Sequence, residues 1–275
     1  MRRTIVLDFD GTMTDNEKES VPFLPVYQRL FAAALDIPHD TFLKFYDQAE
    51  AAIQRAPEQY AWEYKGFAVA PAVSDPYVLA GVVFRKAVQL MNPRESKASL
   101  AARVDEVIED VYHRAYRHTS DVFREGARSV IEHLQSLGNL VVVTNSLPDK
   151  VQDKLSTLFS GKHRVRVVGD AKKHEIYPGW NGVPESSKPP GFPRPVMLRR
   201  RKYYDAMDGL DDIAVVIGDI YEFDLSLPEA MDIPIVLLEK HQTPEWEKTY
   251  MRKHRRGYLA PSIQDIPSYV QDVLG

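Results

Sequence analysis

The chain has 275 residues, enough for one large domain or for a core carrying an inserted second part, since domains commonly run about 100–200 residues. Hydrophobic residues make up 44% of it and charged residues 27%, and no apolar run approaches the roughly 18 positions of a spanning helix, which excludes a disordered polyelectrolyte and a helical membrane protein. A net charge of −4, from 35 basic and 39 acidic residues, argues against a whole-molecule field for nucleic acid or anionic membrane, and the absence of cysteine excludes disulfides, thiolate metal sites and thiol catalysis.

Met1-Arg2-Arg3 is followed by only four uncharged residues before Asp8, too short an apolar stretch for a secretory signal, so a cytoplasmic protein is expected. Residues 4–9 are β-branched and apolar and end in acid and glycine, which predicts a buried strand feeding the tight loop Asp10-Gly11-Thr12. Residues 17–120 show no strand alternation. Apolar residues instead recur at helical spacing, most clearly Leu100, Val104, Val107, Ile108, Val111 and Ala115. Pro71, Pro76 and Asn92-Pro93 interrupt this block, which predicts several helices joined by turns. Within it Trp62, Tyr64, Lys65 and Phe67 fit either a substrate pocket or the aromatic core of that block.

After Gly126 the texture changes. Val130, Ile131, Leu134 and Leu137 form one face of a helix stopped by Gly138, and residues 140–143 follow as a strand. A helix over 148–159, a strand over 165–168 and apolar runs at 214–217 and 235–238 continue an alternation of strand and helix. Strands this uniformly apolar belong to a parallel sheet covered on both faces. Residues 178–195 hold six prolines and three glycines and read as an extended loop. The basic runs at 199–202 and 252–256 read as solvated faces of an acidic chain, and the eight histidines show no paired metal-ligand spacing.

In such a sheet ligands bind beyond the carboxyl ends of the strands. The first strand delivers Asp8 and Asp10, a carboxylate pair able to hold a hard divalent cation and still present an oxygen for nucleophilic attack, followed by Gly11, which lets backbone N–H groups approach an anion. The next delivers Thr144, a hydroxyl donor for a phosphoryl oxygen, with the N–H groups of Asn145 and Ser146 beside it. A later strand delivers Gly218-Asp219 and, five residues on, Asp224. So many acids in one place repel unless a cation neutralises them.

These three stretches, residues 6–15, 141–146 and 215–224, resemble the first, second and fourth motifs of the haloacid dehalogenase superfamily, in particular its phosphatase branch. The resemblance covers residues 4–15 and about 120–240 and implies a Rossmann-like parallel-sheet α/β core, made of residues 1–16 and 121–275, with an all-helical cap domain at 17–120 that closes over the site. It implies that Asp8 attacks phosphorus to form an aspartyl-phosphate, that Asp10 acts as general acid and then base, and that Mg²⁺ is held by Asp8, the backbone carbonyl of Asp10, Asp219 and Asp224. Phosphate would be held by Gly11, Thr12, Thr144, Asn145 and the third-motif lysine. For that lysine Lys202, 17 residues before Asp219, is the first choice, with Lys188 in the Pro-rich loop and Lys172 as alternatives and an arginine of the 199–201 run as a possible helper. The acid at position 10 favours phosphoryl over carbon–halogen chemistry. The function so implied is Mg²⁺-dependent hydrolysis of a small phosphorylated metabolite, with neither nucleic acid nor membrane as partner. A phosphomutase or phosphonatase of the same superfamily, or a phosphate-binding regulator without turnover, remain as alternatives.

Overall fold

The computed structural model describes residues 2–161 and 163–275, and of Lys97 and Leu100 the backbone only, so the Leu100 side chain named above lies outside the described residues. In chain order, β1 (Thr4–Leu7) is followed by α1 (Asn16–Glu19), α2 (Phe23–Ala34), α3 (His39–Arg55), β2 (Ala61–Tyr64), β3 (Phe67–Pro71), α4 (Pro76–Met91) and α5 (Lys97–Tyr116). Then come α6 (Ala127–Leu137), β4 (Asn139–Val143), α7 (Pro148–Leu158), β5 (Arg166–Val168), β6 (Ser186–Ser187) and β7 (Val196–Met197). The chain ends with α8 (Arg201–Asp208), β8 (Ile213–Gly218), α9 (Ser226–Ala230), β9 (Ile235–Leu238), α10 (Glu245–Lys253), β10 (Gly257–Ala260) and α11 (Ile266–Leu274). It divides into two compact units, one made of Met1–Asp15, Glu63–Ala70 and Phe123–Gly275, the other of Asn16–Trp62 and Pro71–Val122.

The first unit is built on a six-stranded sheet in the order β10-β9-β8-β1-β4-β5, every pairing parallel. Because side chains alternate across a strand, each apolar run serves two cores. Ile5, Leu7, Val142, Ile217 and Val236 pack against Ile131 and Leu134 of α6 and Ile266 and Val270 of α11. Val6, Val141, Val143, Val216 and Leu237 pack against Tyr203 and Met207 of α8 and Met251 of α10. The chain runs from β1 to β4 and β5 on one side and to β8, β9 and β10 on the other, so β1 is the switch point of the sheet, where loops diverge and leave a crevice. Leu7 is level with Val142 of β4 and Ile217 of β8, so Asp8, Thr144 and Asp219 leave the sheet along one edge.

The second unit is helical. Phe23, Tyr27, Phe31, Phe42, Tyr46 and Phe84 are buried together with Val104, Val111 and Ala115 of α5, the periodic face seen in the sequence. Phe84 is central, stacked on Phe31 at 4.3 Å and edge-on to Phe42 at 5.3 Å. Asp75 starts α4 by accepting hydrogen bonds from the N–H groups of Tyr77 and Val78, both at 2.9 Å, ahead of Pro76.

One expectation needs correction here. The block 17–120 contains a hairpin, β2–β3, where only helices were expected. Lys65 and Gly66 at its tip both have positive φ, 49° and 82°, the backbone of a tight two-residue hairpin turn, and the strands are too short to show alternation. Trp62, Tyr64, Lys65 and Phe67 therefore belong to this hairpin, residues 63–70 of which are part of the first unit, and not to the aromatic core of the helices. The Pro-rich segment is a loop of turns and bends containing the β6 half of the two-residue β6–β7 pairing, and Phe192 anchors it on Tyr221 with ring centroids 5.1 Å apart.

Candidate active site

Three buried carboxylates, Asp8, Asp219 and Asp224, gather at the crevice with their ligand oxygens within 4.8 Å of one another. Asp8 follows β1 directly, and the chain turns at Gly11, whose φ of 85° suits a residue without a side chain. Gly11 is then fixed on both sides, its N–H donating to Thr14 Oγ1 at 3.1 Å and its carbonyl accepting from Arg124 Nη2 at 2.8 Å. Asp219 follows Gly218 at the end of β8, and a Cβ on Gly218 would lie 2.5 Å from that of Asp224. The glycine is thus what lets Asp224 fold back against the strand end from the π-helical turn at Tyr221–Leu225.

The ammonium of Lys173 joins two of these acids. Its Nζ donates to Asp8 Oδ1 at 2.7 Å and to Asp224 Oδ1 at 2.8 Å, with the lysine side chain 1% exposed. Asp224 Oδ2 accepts from the N–H of Ile220 at 3.1 Å. Thr12 Oγ1 stands 2.9 Å from Asp8 Oδ2 and 2.9 Å from Asp219 Oδ1. A hydroxyl has one proton, so it serves one of the two carboxylates at a time. The remaining oxygen, Asp219 Oδ2, is held by the ammonium of Lys240 as an ion pair.

The electrostatics follow from this crowding. Burial pushes the Asp8 carboxyl up, Lys173 pulls it back, and Asp224 and Asp219 raise it again, leaving it well above the usual carboxylate range. Asp224 is raised for the same reasons, burial first. Burial works to lower Lys173, but Asp224 and Asp8 outweigh it and hold the ammonium above its ordinary value. Three carboxylates facing two ammonium groups leave an excess of negative charge, the condition under which oxygen ligands take a hard divalent cation.

Asp10 lies on the other side of the crevice. Thr144 Oγ1 donates to its Oδ2 and Lys154 Nζ to its Oδ1, both at 3.3 Å. Thr144 in turn accepts from the N–H of Ser146 at 3.2 Å. The loop after β5 is stitched to this one: Ala171 N–H donates to the Thr144 carbonyl, Asp170 N–H to the Ser146 carbonyl, and Lys173 N–H to Asn145 Oδ1 at 2.7 Å.

The family profile of haloacid dehalogenase-like hydrolases matches residues 2–226. The chain belongs to this family. None of the curated proteins matches its sequence significantly. Solved structures of similar fold include a predicted phosphatase from Clostridium acetobutylicum, 13% identical over 99% of both chains with a TM-score of 0.50. YfnB from Bacillus subtilis, solved with magnesium bound, is 16% identical over 98% of both chains at 0.49. A 2-haloacid dehalogenase from Pseudomonas syringae pv. Tomato DC3000 is 14% identical over 99% of both at 0.44. At 13% identity the likeness to the first of these is one of fold alone.

In this hydrolase the lysine on Asp8 is Lys173, which corrects the expectation of Lys202. Tyr203 and Met207, four apart, are the buried face of α8, so Lys202 points outward, 49% exposed, and pairs with Glu175 at 3.1 Å. Lys188 is exposed in the Pro-rich segment. Lys172 pairs with Asp170 at 2.7 Å. Both Asp170 and Lys172 have positive φ, 53° and 48°, and this kinked backbone is what turns Lys173 inward. The usable signal was position: two lysines four and five residues beyond a strand end on the ligand-bearing edge.

The Thr12 hydroxyl lies between two carboxylates and the Asn145 side chain holds the Lys173 backbone, so what these two residues offer a phosphate is their backbone N–H groups. The arginine helper is also ruled out in the case of Arg200, which is fully buried and donates to the carbonyls of Met197, Val69, Glu222 and Lys173. It ties the β3 strand of the hairpin to the loop that carries Lys173. Lys154 and Lys240 were missed altogether, because neither lies in a motif. Among the described residues no helix is long and apolar enough to cross a membrane.

Proposed function

We propose that this hydrolase is a Mg²⁺-dependent phosphatase of a small phosphorylated metabolite, acting through an aspartyl-phosphate on Asp8. The observation that carries the reading is Asp10, a carboxyl group two residues from Asp8, 34% exposed at its side chain and held by Thr144 and Lys154. Expelling an alkoxide from a phosphate ester needs a proton at the leaving oxygen, whereas expelling a halide from carbon needs none. A positioned acid beside the nucleophile therefore favours the phosphate ester.

The donor set fits magnesium: the candidate ligands are all oxygens, and three buried carboxylates bring them within 4.8 Å of one another. Asp8, the backbone carbonyl of Asp10 and Asp219 would hold the ion, and Asp224, engaged at both oxygens, would contribute through water. When bound it supplies positive charge beside the transferring phosphoryl group.

The chain's own residues do the rest. Lys173 pulls Asp8 back toward its ionised form against the effect of burial and fixes the direction of its carboxylate. Asp8 attacks phosphorus while protonated Asp10 gives its proton to the departing alkoxide, leaving the acyl phosphate on Asp8 and an alcohol. Asp10, now ionised, takes a proton from the water that attacks that phosphorus, which releases inorganic phosphate and restores both carboxyl groups. Thr144 tethers Asp10 on the β4 side.

A phosphate-release assay across a panel of phosphorylated metabolites, with Mg²⁺ or EDTA and with Asp8→Asn in parallel, tests the reading. Release that needs Mg²⁺ and disappears in Asp8→Asn is the expected result. Release that survives in Asp8→Asn, or silence of the folded protein across the panel, overturns it.

A further inference from the structure

Lys240 lies outside every motif and has no part in the mechanism above, yet its side chain is 1% exposed and its ammonium faces Asp219 Oδ2. Apart from this ammonium, no group among the described residues reaches that oxygen. The backbone of Lys240, two residues beyond β9, is pinned by a short turn: its N–H donates to Thr243 Oγ1 at 2.8 Å, and its carbonyl accepts from the Thr243 N–H at 3.1 Å. The lysine is therefore presented to Asp219 by the fold and does not reach it from a free loop.

A carboxylate buried to the extent of Asp219, 2% exposed, is costly without a counter-charge. Lys173 is committed to Asp8 and Asp224, and Thr12 offers Asp219 at most one shared proton. Lys240 is the charge that balances Asp219 in the metal-free protein. An ammonium and a divalent ion sharing one oxygen at short range repel each other, so each weakens the other's hold.

We infer that Lys240 is a resident counter-cation of the metal site: it holds Asp219 in place before metal arrives and must yield that oxygen when Mg²⁺ binds, so it sets the metal affinity. The inference rests on the magnesium reading above. Lys240 is in this sense a positioning residue, and its effect falls on metal affinity and on metal-free stability.

The test is Mg²⁺ titration by calorimetry on the wild type, Lys240→Met, Lys240→Arg and Asp219→Asn, with melting curves in EDTA and in Mg²⁺. Removing a cation this close to the ligand should tighten Mg²⁺ binding by about tenfold or more. Lys240→Met should also melt lower in EDTA and gain more from Mg²⁺ than the wild type does. Lys240→Arg, which keeps the charge, should stay close to the wild type, and it serves as the control if Lys240→Met folds poorly. Equal or weaker Mg²⁺ binding in folded Lys240→Met overturns the inference while leaving the metal site standing, as does Lys240→Arg binding as tightly as Lys240→Met. No Mg²⁺ binding by any variant removes the magnesium reading and this inference with it.

Discussion

Two buried regions of this protein are made of opposite materials. The helical unit is filled with rings, Phe23, Tyr27, Phe31, Phe42, Tyr46 and Phe84, which gain from burial by area and by edge-to-face packing. The crevice at the end of β1 is filled with ions, Asp8, Asp219, Asp224, Lys173 and Lys240, all nearly inaccessible to water. Buried ion pairs commonly stabilise no better than well-packed apolar residues of the same size, because desolvation offsets the attraction. An interior of the second kind is thus poorly explained by stability, whereas chemistry on an anionic substrate accounts for it.

That contrast can be broken in order of expected effect. Asp8→Asn should lower phosphate release by about a thousandfold or more while leaving the melting temperature close to that of the wild type, since the nucleophile is lost and the shape retained. Steady-state assays and melting curves on one preparation check it, and retained activity would mean that another group attacks.

Lys173→Met should damage both properties, because it leaves Asp8 and Asp224 without their shared cation. Breaking a buried pair from one side costs about 3–5 kcal/mol, readable in urea unfolding. Phe84→Ala should cost about as much, roughly 3–5 kcal/mol from lost burial and the cavity left among the rings, but without altering Mg²⁺ affinity. If Phe84→Ala changed metal binding as strongly as Lys173→Met, the two interiors would not be independent.

A pH effect sharpens the comparison further. Glu247 is fully buried, and burial, together with the nearby Glu222, pushes its carboxyl up to about 8 from an ordinary 4.5. Between those values the folded protein keeps a proton that the unfolded chain has lost, so this group's contribution to stability is full below about pH 4.5 and declines as pH rises to about 8. Glu247→Gln should flatten that part of the profile, and an unchanged slope in urea titrations would contradict the account. The smallest effect belongs to the exposed pair Arg85–Asp105, at 2.6 Å on the helical unit, where Arg85→Ala should change stability by less than about 1 kcal/mol.

Much of this was legible in the sequence, for physical reasons that also explain the rest. β1, β4, β8 and β9 are buried on both faces, so their apolar runs are unmistakable, and the acids that follow them stand at the functional edge. β10 is an edge strand, mostly half-buried, with one neighbour and the basic run 252–256 just before it, so it lacked that signature. The β2–β3 hairpin was hidden by its length. Lys173 was hidden by backbone geometry: left-handed residues at 170 and 172 decide which of two adjacent lysines turns inward, and such turns on non-glycine residues leave little trace in composition. Lys240 and Lys154 were illegible because their roles depend on partners 21 and 144 residues away in sequence.

The central claim is that Asp8 is a nucleophile toward phosphorus in a magnesium-supported site. ¹⁹F NMR with beryllium fluoride, a mimic of the phosphoryl group on a carboxylate, tests it without knowledge of the substrate. The account predicts protein-bound fluorine resonances in the wild type with Mg²⁺, and their loss both in EDTA and in Asp8→Asn. Resonances that persist in Asp8→Asn, or none in the folded wild type with Mg²⁺, would contradict it.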